Sequence, residues 1–243
     1  MEKAVFLSKI YSLRKKIYFL YQERLRIERL KRLEKELSLS GYHYIAGIDE
    51  VGRGALAGPV VAAAVVIKEV DSFFVAYLKD SKKINKIRRE YVSQLISDKL
   101  CDIGIGLVDA DTIDRINIAQ STFLAMKRAL RSLEQYPDYI LVDAFKIPYI
   151  LTPQDNLIRG EDKSISIAAA SVIAKVYRDG IMRKFHEKYP LYQFNKNMGY
   201  GTKNHLEAIK ENGISPIHRK TFKGVIIDKY KEIKYPKQKS LYE

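Results

Sequence analysis

Cysteine is almost absent from this chain, and long apolar runs are missing altogether. Cys101 is the only cysteine, so the chain cannot form an internal disulfide, which is typical of proteins from a reducing compartment. No run reaches the roughly 18 apolar residues of a transmembrane helix. Charged residues are scattered through the first segment without an apolar core and a small-residue cleavage site, which argues against a signal peptide. We therefore expect a cytoplasmic location.

Acidic residues are few relative to basic ones. The 243 residues include 43 Lys and Arg but 29 Asp and Glu, which gives a formal net charge of +14. Such an excess favours a polyanionic partner, because Lys and Arg release counterions from nucleic acid when they bind it. An anionic membrane surface is the alternative partner. The length and the 47% of hydrophobic residues predict one sizeable domain with an appendage.

Two adjacent carboxylates interrupt the apolar stretch at residues 45–67. The first apolar run ends in Asp49 and Glu50, and the second spans 60–67. Between the runs lies a turn that contains Gly52, Arg53 and Gly54. Adjacent anions at the end of a buried strand repel each other and lose hydration, so the pattern indicates a bound cation. Hard oxygen ligands suit Mg²⁺ or Mn²⁺, whereas a solvated strand end is the alternative for such a pair alone.

Another apolar run, farther along the chain, also ends in a carboxylate. Residues 139–142 read as a buried strand, and Asp143 follows them. If this strand lies beside the strand that ends in Asp49, their acidic ends meet at one edge of the sheet. Converging carboxylates without a cation would strongly destabilise the fold. An aspartate that caps a loop is the alternative reading of Asp143 alone.

Three further stretches carry candidate site residues. In residues 158–176, Ser164 can cap a helix with Ser171 on its face, and two acidic residues precede that helix. The polar loop 77–86 has Ser81 and Lys82 ahead of a helix, which suits a phosphate clamp or a solvated cap. Residues 189–203 are aromatic and basic, which suits base or sugar stacking with phosphate contacts, or a loop packed on the domain.

The motif GIDEVGRGALAGPVVAAAVVI resembles the opening motif of type 2 ribonuclease H, the ribonuclease HII family of bacteria. The blocks LVDA, AAAS, GYGTK and SPIHRKTF resemble later family motifs, so the similarity runs from about residue 42 to about residue 222. The resemblance implies a ribonuclease H-like α/β fold, in which a mixed sheet is flanked by helices. It also implies cleavage of the RNA strand of RNA–DNA hybrids and incision beside single ribonucleotides in duplex DNA, leaving a 5′-phosphate.

The same resemblance implies a set of site residues. Metal ligands for two Mg²⁺ or Mn²⁺ ions would be Asp49, Glu50, Asp143 and Glu161. The family usually has Asp in a KGD motif at the fourth position; counting back from AAAS reaches Glu161, not Asp162, so we favour Glu161 although either carboxylate could serve. The predicted substrate contacts are Gly52, Arg53, Gly54, Ser81, Lys82, Ser171, Tyr200 and Lys203.

Three regions are predicted. Residues 1–40 form a basic helical extension, either one long helix or a helical hairpin, that lies solvated on the domain, contacts nucleic acid or self-associates. Residues 41–188 form the catalytic domain. Residues 189–243 form a helical substrate-binding subdomain with a tail, and we expect a monomer.

Two other functions remain open at this point. A non-catalytic nucleic-acid-binding module would explain the basic charge but not the acids at three strand or loop ends. A metal-dependent DNA nuclease of the same general fold would explain both. A binding module should keep its function when the metal is chelated, whereas an enzyme should stop. A DNA nuclease should cut an all-DNA duplex, whereas a ribonuclease should not.

Overall fold

A mixed five-stranded sheet forms the centre of the protein. The computed structural model describes residues 2–68, 78, 86–97 and 101–225, with side chains described from residue 11 onward. The strands of these residues are β1 (Ile45–Val51), β2 (Val60–Ile67), β3 (Cys101–Val108), β4 (Tyr139–Asp143) and β5 (Gln154–Leu157). They lie in the order β3-β2-β1-β4-β5. The pairs β1–β2 and β2–β3 are antiparallel, whereas β1–β4 and β4–β5 are parallel.

Helices cover both faces of the sheet, as the sequence predicted for an α/β fold. They are α1 (Glu2–Leu39), α2 (Lys86–Ser97), α3 (Ala110–Arg131), α4 (Ile165–Lys188), α5 (Phe194–Asn197) and α6 (Lys203–Asn212). On one face, Met126 and Leu130 of α3 pack against apolar side chains of β1, β2 and β4. On the other face, Ala169 and Val172 of α4 pack with Ala63 of β2. None of the described helices is long and apolar enough to span a membrane.

The long helix α1 is continuous, so the alternative of a helical hairpin was wrong. Its C-terminal part docks on the sheet and α4, because Leu30 is 2% exposed and Leu33 and Leu37 are partly buried. Farther back, the Arg26 guanidinium donates to the carbonyl oxygen of Leu78 at 2.7 Å. The side chains of residues 11–22, which precede this contact, are exposed, and Ile17 among them is 58% exposed. The helix is therefore anchored at one end.

A separate apolar cluster joins the C-terminal segment to the loop between β1 and β2. Tyr192 and Phe194 stack with ring centroids 5.4 Å apart and are fully buried. Isolated backbone bridges pair Ala55 with Tyr200 and Ala57 with His218. The loop after β1 is therefore held by residues about 150 positions later in the chain.

Candidate active site

The ends of β1 and β4 place three acidic side chains around one cavity. Ile48 pairs with Val142 in the parallel register, so the next residues, Asp49 and Asp143, leave the sheet at the same edge. A cavity of about 390 Å³ lies there. Its lining consists of Asp49, Glu50, Val51, Asp143, Ser171, Lys175 and Tyr200. The convergence expected from two strands ending in carboxylates is therefore present.

Burial and mutual repulsion raise the proton affinity of these carboxylates. Burial and the charges of Glu50 and Asp143 together raise the pKa of Asp49 to about 8, although a hydrogen bond from Ser171 opposes the shift. Burial also raises the pKa of Glu50, although Arg53 opposes that shift through an ion pair at 3.3 Å. The site therefore favours protonation unless positive charge enters it.

Backbone amides and Arg53 already engage some of the acidic oxygens. Asp49 Oδ1 accepts from the Glu50 N–H at 2.7 Å, and Asp143 Oδ1 accepts from the Gly160 N–H at 2.7 Å. Among the described residues, no three acidic, histidine or cysteine side chains are close enough to form a complete metal-binding group. Glu50 Oε2 is buried and has no hydrogen-bond partner among those residues. An unpartnered carboxylate oxygen beside two further acids fits a hard divalent cation.

The fourth acidic candidate lies beside this cavity and not on its wall. Glu161 belongs to a single 3₁₀ turn, Gly160–Asp162, whose first residue makes the hydrogen bond to Asp143. Its side chain is not part of the cavity lining. Asp162 forms an ion pair with Arg159 at 2.5 Å.

Comparison with known proteins identifies the family. The sequence model of the family described as Ribonuclease HII matches residues 46–225. The chain belongs to the ribonuclease HII family. Ribonuclease HII of Caldanaerobacter subterraneus subsp. tengcongensis is 48% identical over 205 residues, covering 84% of each chain. Ribonuclease HII of Acetivibrio thermocellus is 50% identical over 189 residues, covering 78% of this chain and 73% of that protein.

Solved structures of related enzymes share the fold. Ribonuclease H2 from Pyrococcus horikoshii OT3 has a TM-score of 0.63 and 28% identity, covering 75% of this chain and 95% of that one. Bst-RNase HIII in complex with Mn²⁺ has a TM-score of 0.60 and 20% identity, covering 83% and 70%. The latter likeness concerns the fold alone. As a ribonuclease HII family member, the chain is a ribonuclease H, an endonuclease that cleaves RNA paired with DNA.

In this ribonuclease HII family member, a buried arginine from α4 shapes the glycine turn after β1. Arg178 donates to the carbonyl oxygens of Pro59, Ala57 and Met198 at 2.9–3.1 Å. Gly52 has φ 91°, and a Cβ there would lie 2.2 Å from Arg178 Nε, so glycine is required at this position. Arg178 is fully buried, and its role was not predicted from the sequence.

A second buried arginine, Arg219, supports the same turn. Its guanidinium donates to the carbonyl oxygen of Arg53 at 2.9 Å and to that of Gly58 at 2.9–3.0 Å. The only sequence signal for it was the SPIHRKTF block. Both buried arginines bind backbone carbonyls of the loop between β1 and β2, which includes the glycine turn. The conformation of this loop therefore depends on residues from α4 and from the C-terminal segment.

A chain of hydrogen bonds through two buried histidines holds the backbone of Tyr200. The Ser215 N–H donates to His218 Nδ1 at 2.9 Å, so the ring proton of His218 is on Nε2. Nε2 of His218 then donates to Nε2 of His205 at 3.0 Å, and Nδ1 of His205 donates to the carbonyl oxygen of Tyr200 at 2.9 Å. Burial lowers the pKa of His205 and lowers that of His218 to about 3, so both rings stay neutral.

The predicted substrate contacts fall into four groups. Ser171 and Tyr200 line the acidic cavity together with Lys175, which the sequence analysis did not select as a site residue. Lys175 lies on the same helix as Ser171, one turn farther on, and its ammonium is 5.9 Å from the Tyr200 ring centroid. The glycine turn with Arg53 lies next to Glu50. Lys203 is the first residue of α6, and its side chain is 87% exposed. Ser81 and Lys82 lie outside the described residues.

The raised pKa of Asp49 predicts an unusual dependence of stability on pH. The folded state binds the Asp49 proton more tightly than the unfolded chain, whose value is near 3.8. The corresponding stabilisation is full below pH 4 and is lost as the pH rises through about 8. In EDTA, Asp49→Asn should therefore become more stable than the unchanged chain as the pH rises, by on the order of a few kcal/mol at alkaline pH.

Urea unfolding at pH 5, 7 and 9 measures this difference. Glu211→Gln, which changes an exposed carboxylate on α6, should follow the unchanged chain at every pH. A stability difference between Asp49→Asn and the unchanged chain that stays constant across this pH range would contradict the assigned shift.

Proposed function

We propose that this chain hydrolyses the RNA strand of RNA–DNA hybrids with two divalent ions, Mg²⁺ or Mn²⁺, held by four carboxylates. These are Asp49, Glu50, Asp143 and Glu161. The proposal includes incision on the 5′ side of single ribonucleotides in duplex DNA, which leaves 5′-phosphate and 3′-hydroxyl ends. The convergence of Asp49, Glu50 and Asp143 on one cavity is the observation that carries it.

The chemistry of the donors supports divalent cations. The three cavity acids offer hard carboxylate oxygens, and burial together with the charges of Glu50 and Asp143 raises the pKa of Asp49. When bound, the two ions would lower the pKa of the attacking water and stabilise the leaving oxygen. The amide of Gly160 orients Asp143, and the amide of Glu50 orients Asp49. The chain itself supplies ligand orientation, and no side-chain nucleophile is required.

The position of Glu161 in the 3₁₀ turn supports it over Asp162 as the fourth ligand. Glu161 directly follows Gly160, which hydrogen-bonds Asp143 at the cavity. The longer side chain of Glu can extend from the turn toward that carboxylate.

Substrate selection would use the surfaces around the acids. The backbone of the glycine turn, with Arg53 and Gly54 beside it, can recognise a 2′-hydroxyl, because that group both donates and accepts a hydrogen bond. The Tyr200 ring at the cavity can pack on a neighbouring sugar. Ser81, Lys82 and Lys203 would bind backbone phosphates, and Ser171 would contact the substrate from α4. We further propose that the chain acts as a monomer in the cytoplasm.

Replacing one ligand while keeping its shape tests the proposal. Asp49→Asn should lower cleavage of an RNA–DNA hybrid, and of a duplex with one ribonucleotide, by orders of magnitude, because an anionic metal ligand is lost. Glu211→Gln should cleave like the unchanged chain. EDTA should stop the unchanged chain, and an all-DNA duplex should remain intact.

Each alternative function predicts a different outcome in the same assay. A non-catalytic binding module would retain its substrate in EDTA without cleaving it under any condition. A metal-dependent DNA nuclease would cut the all-DNA duplex. Full activity of Asp49→Asn on the hybrid would contradict the assignment of the acidic cavity.

A matched pair of variants tests the fourth ligand. Glu161→Gln should lower cleavage of the hybrid by about 10²–10³-fold, because one charged group that acts in the transition state is lost. Asp162→Asn breaks the ion pair with Arg159 and should leave cleavage close to that of the unchanged chain. The initial cleavage rate at saturating metal decides between them. The opposite ranking would assign the metal to Asp162.

A further inference from the structure

A carboxylate on the N-terminal helix binds the start of α4. Glu34 lies outside residues 46–225, the part that matches the family. Its Oε1 accepts from Ser164 Oγ at 2.5 Å, from Ser166 Oγ at 2.7 Å and from the Ser166 N–H at 3.1 Å. Both serines are buried, and Ser164 also caps α4 by accepting from the Ile167 N–H at 3.2 Å. Glu34 therefore fixes the first turn of α4 from outside that helix.

Hydrogen bonds continue from this contact to the acidic cavity. The Ser164 N–H donates to the carbonyl oxygen of Gly160 at 2.9 Å. The Gly160 N–H in turn donates to Asp143 Oδ1 at 2.7 Å. Only Ser164 and Gly160 thus separate Glu34 from a proposed metal ligand. Glu161 lies within the turn that this path crosses.

Gly160 has no free space in which to absorb a displacement. Gly160 is buried, and a Cβ there would lie 2.6 Å from Ile167 Cδ1 and 3.2 Å from Asp143 Oδ1. Ile167 belongs to the first turn of α4 and is fully buried. A shift of that first turn would therefore move Gly160 relative to Asp143, because close-packed interiors transmit strain.

The other oxygen of Glu34 is unusual for a purely structural cap. Glu34 Oε2 is buried and makes no hydrogen bond with any described residue. A buried carboxylate oxygen without a partner lowers stability. Ser164 already caps α4, so the helix has a local cap without this carboxylate. Buried polar atoms without hydrogen-bond partners are expected mainly at functional sites.

We propose that Glu34 is a positioning residue for the acidic site. Through Ser164 and Gly160 it sets the orientation of Asp143 and of the turn that carries Glu161. The C-terminal part of α1, which packs on the sheet and α4, then helps to position the acidic site. This inference rests on the proposed metal-dependent function, because its consequence is a change in metal affinity.

Thermal unfolding of the full chain with increasing Mn²⁺ tests this role without measuring activity. Glu34→Ala should raise the Mn²⁺ concentration that gives half of the full stabilisation by about 10-fold or more, as is typical when a group that orients a metal ligand is removed. Glu34→Gln keeps an acceptor oxygen and should lie between Glu34→Ala and the unchanged chain. Glu36→Ala, which changes an exposed carboxylate on the same helix, should leave the midpoint unchanged.

Combined substitutions separate positioning from simple support of the fold. If Glu34 acts through the turn, Glu34→Ala should shift the Mn²⁺ midpoint less in a Glu161→Gln background than in the unchanged chain. A lower melting temperature without metal, together with an unchanged Mn²⁺ midpoint, would overturn the inference. Ser164→Ala breaks the same path while Glu34 keeps its bonds to Ser166, and it replaces Glu34→Ala if that variant does not fold.

The response of the unchanged chain to Mn²⁺ distinguishes failure of the positioning role from failure of the proposed metal-dependent function. If Mn²⁺ stabilises the unchanged chain and the Glu34 variants respond identically, the positioning role alone is wrong. If Mn²⁺ does not stabilise the unchanged chain at all, the proposed metal-dependent function is wrong, and the positioning role falls with it.

Discussion

Carboxylates that repel one another meet at one edge of the sheet, and the surrounding residues hold them there. The parallel pairing of Ile48 with Val142 brings Asp49 and Asp143 together, and Glu50 adds a third acid at the same cavity. Burial and the charges of its two neighbours raise the pKa of Asp49 to about 8. The fold thereby keeps an arrangement that is unfavourable alone and that bound cations would stabilise.

Groups from distant parts of the chain hold this arrangement in place. Arg178 and Arg219 bind backbone carbonyls of the loop that follows the first two acids. Two neutral histidines fix the backbone of Tyr200, and Glu34 of the N-terminal helix reaches Asp143 through a short path of hydrogen bonds. The site is therefore supported from both ends of the described chain, although its acids come from two adjacent strands.

The sequence predicted the parts of this site that depend on local pattern. Apolar runs ending in Asp49 and Asp143 are strand signals with a carboxylate at the end, and the α/β fold with a mixed sheet follows from the order of such runs. The structure brings these acids together as expected, while their roles as metal ligands, and those of the substrate contacts, stay predictions. Ser81 and Lys82 lie outside the described residues.

Long-range polar contacts could not be predicted in the same way. Neither Arg178 nor Glu34 interrupts the helical pattern around it, and nothing in periodicity shows which backbone carbonyl or serine it will meet. The place of Lys175 at the cavity likewise depends on how α4 lies along the sheet. The sequence predicted a helical N-terminal segment but did not decide between one long helix and a helical hairpin, and the structure shows one helix.

Proton release on metal binding would show that divalent cations neutralise the acidic site. Calorimetric titration of Mn²⁺ into the full chain at pH 7, repeated in buffers with different ionisation enthalpies, counts the protons displaced. Because the pKa of Asp49 is about 8 without metal, binding at its carboxylate should release about one proton per chain. Mn²⁺ binding with no proton release, or no binding at all, would contradict an acidic site that is neutralised by divalent cations.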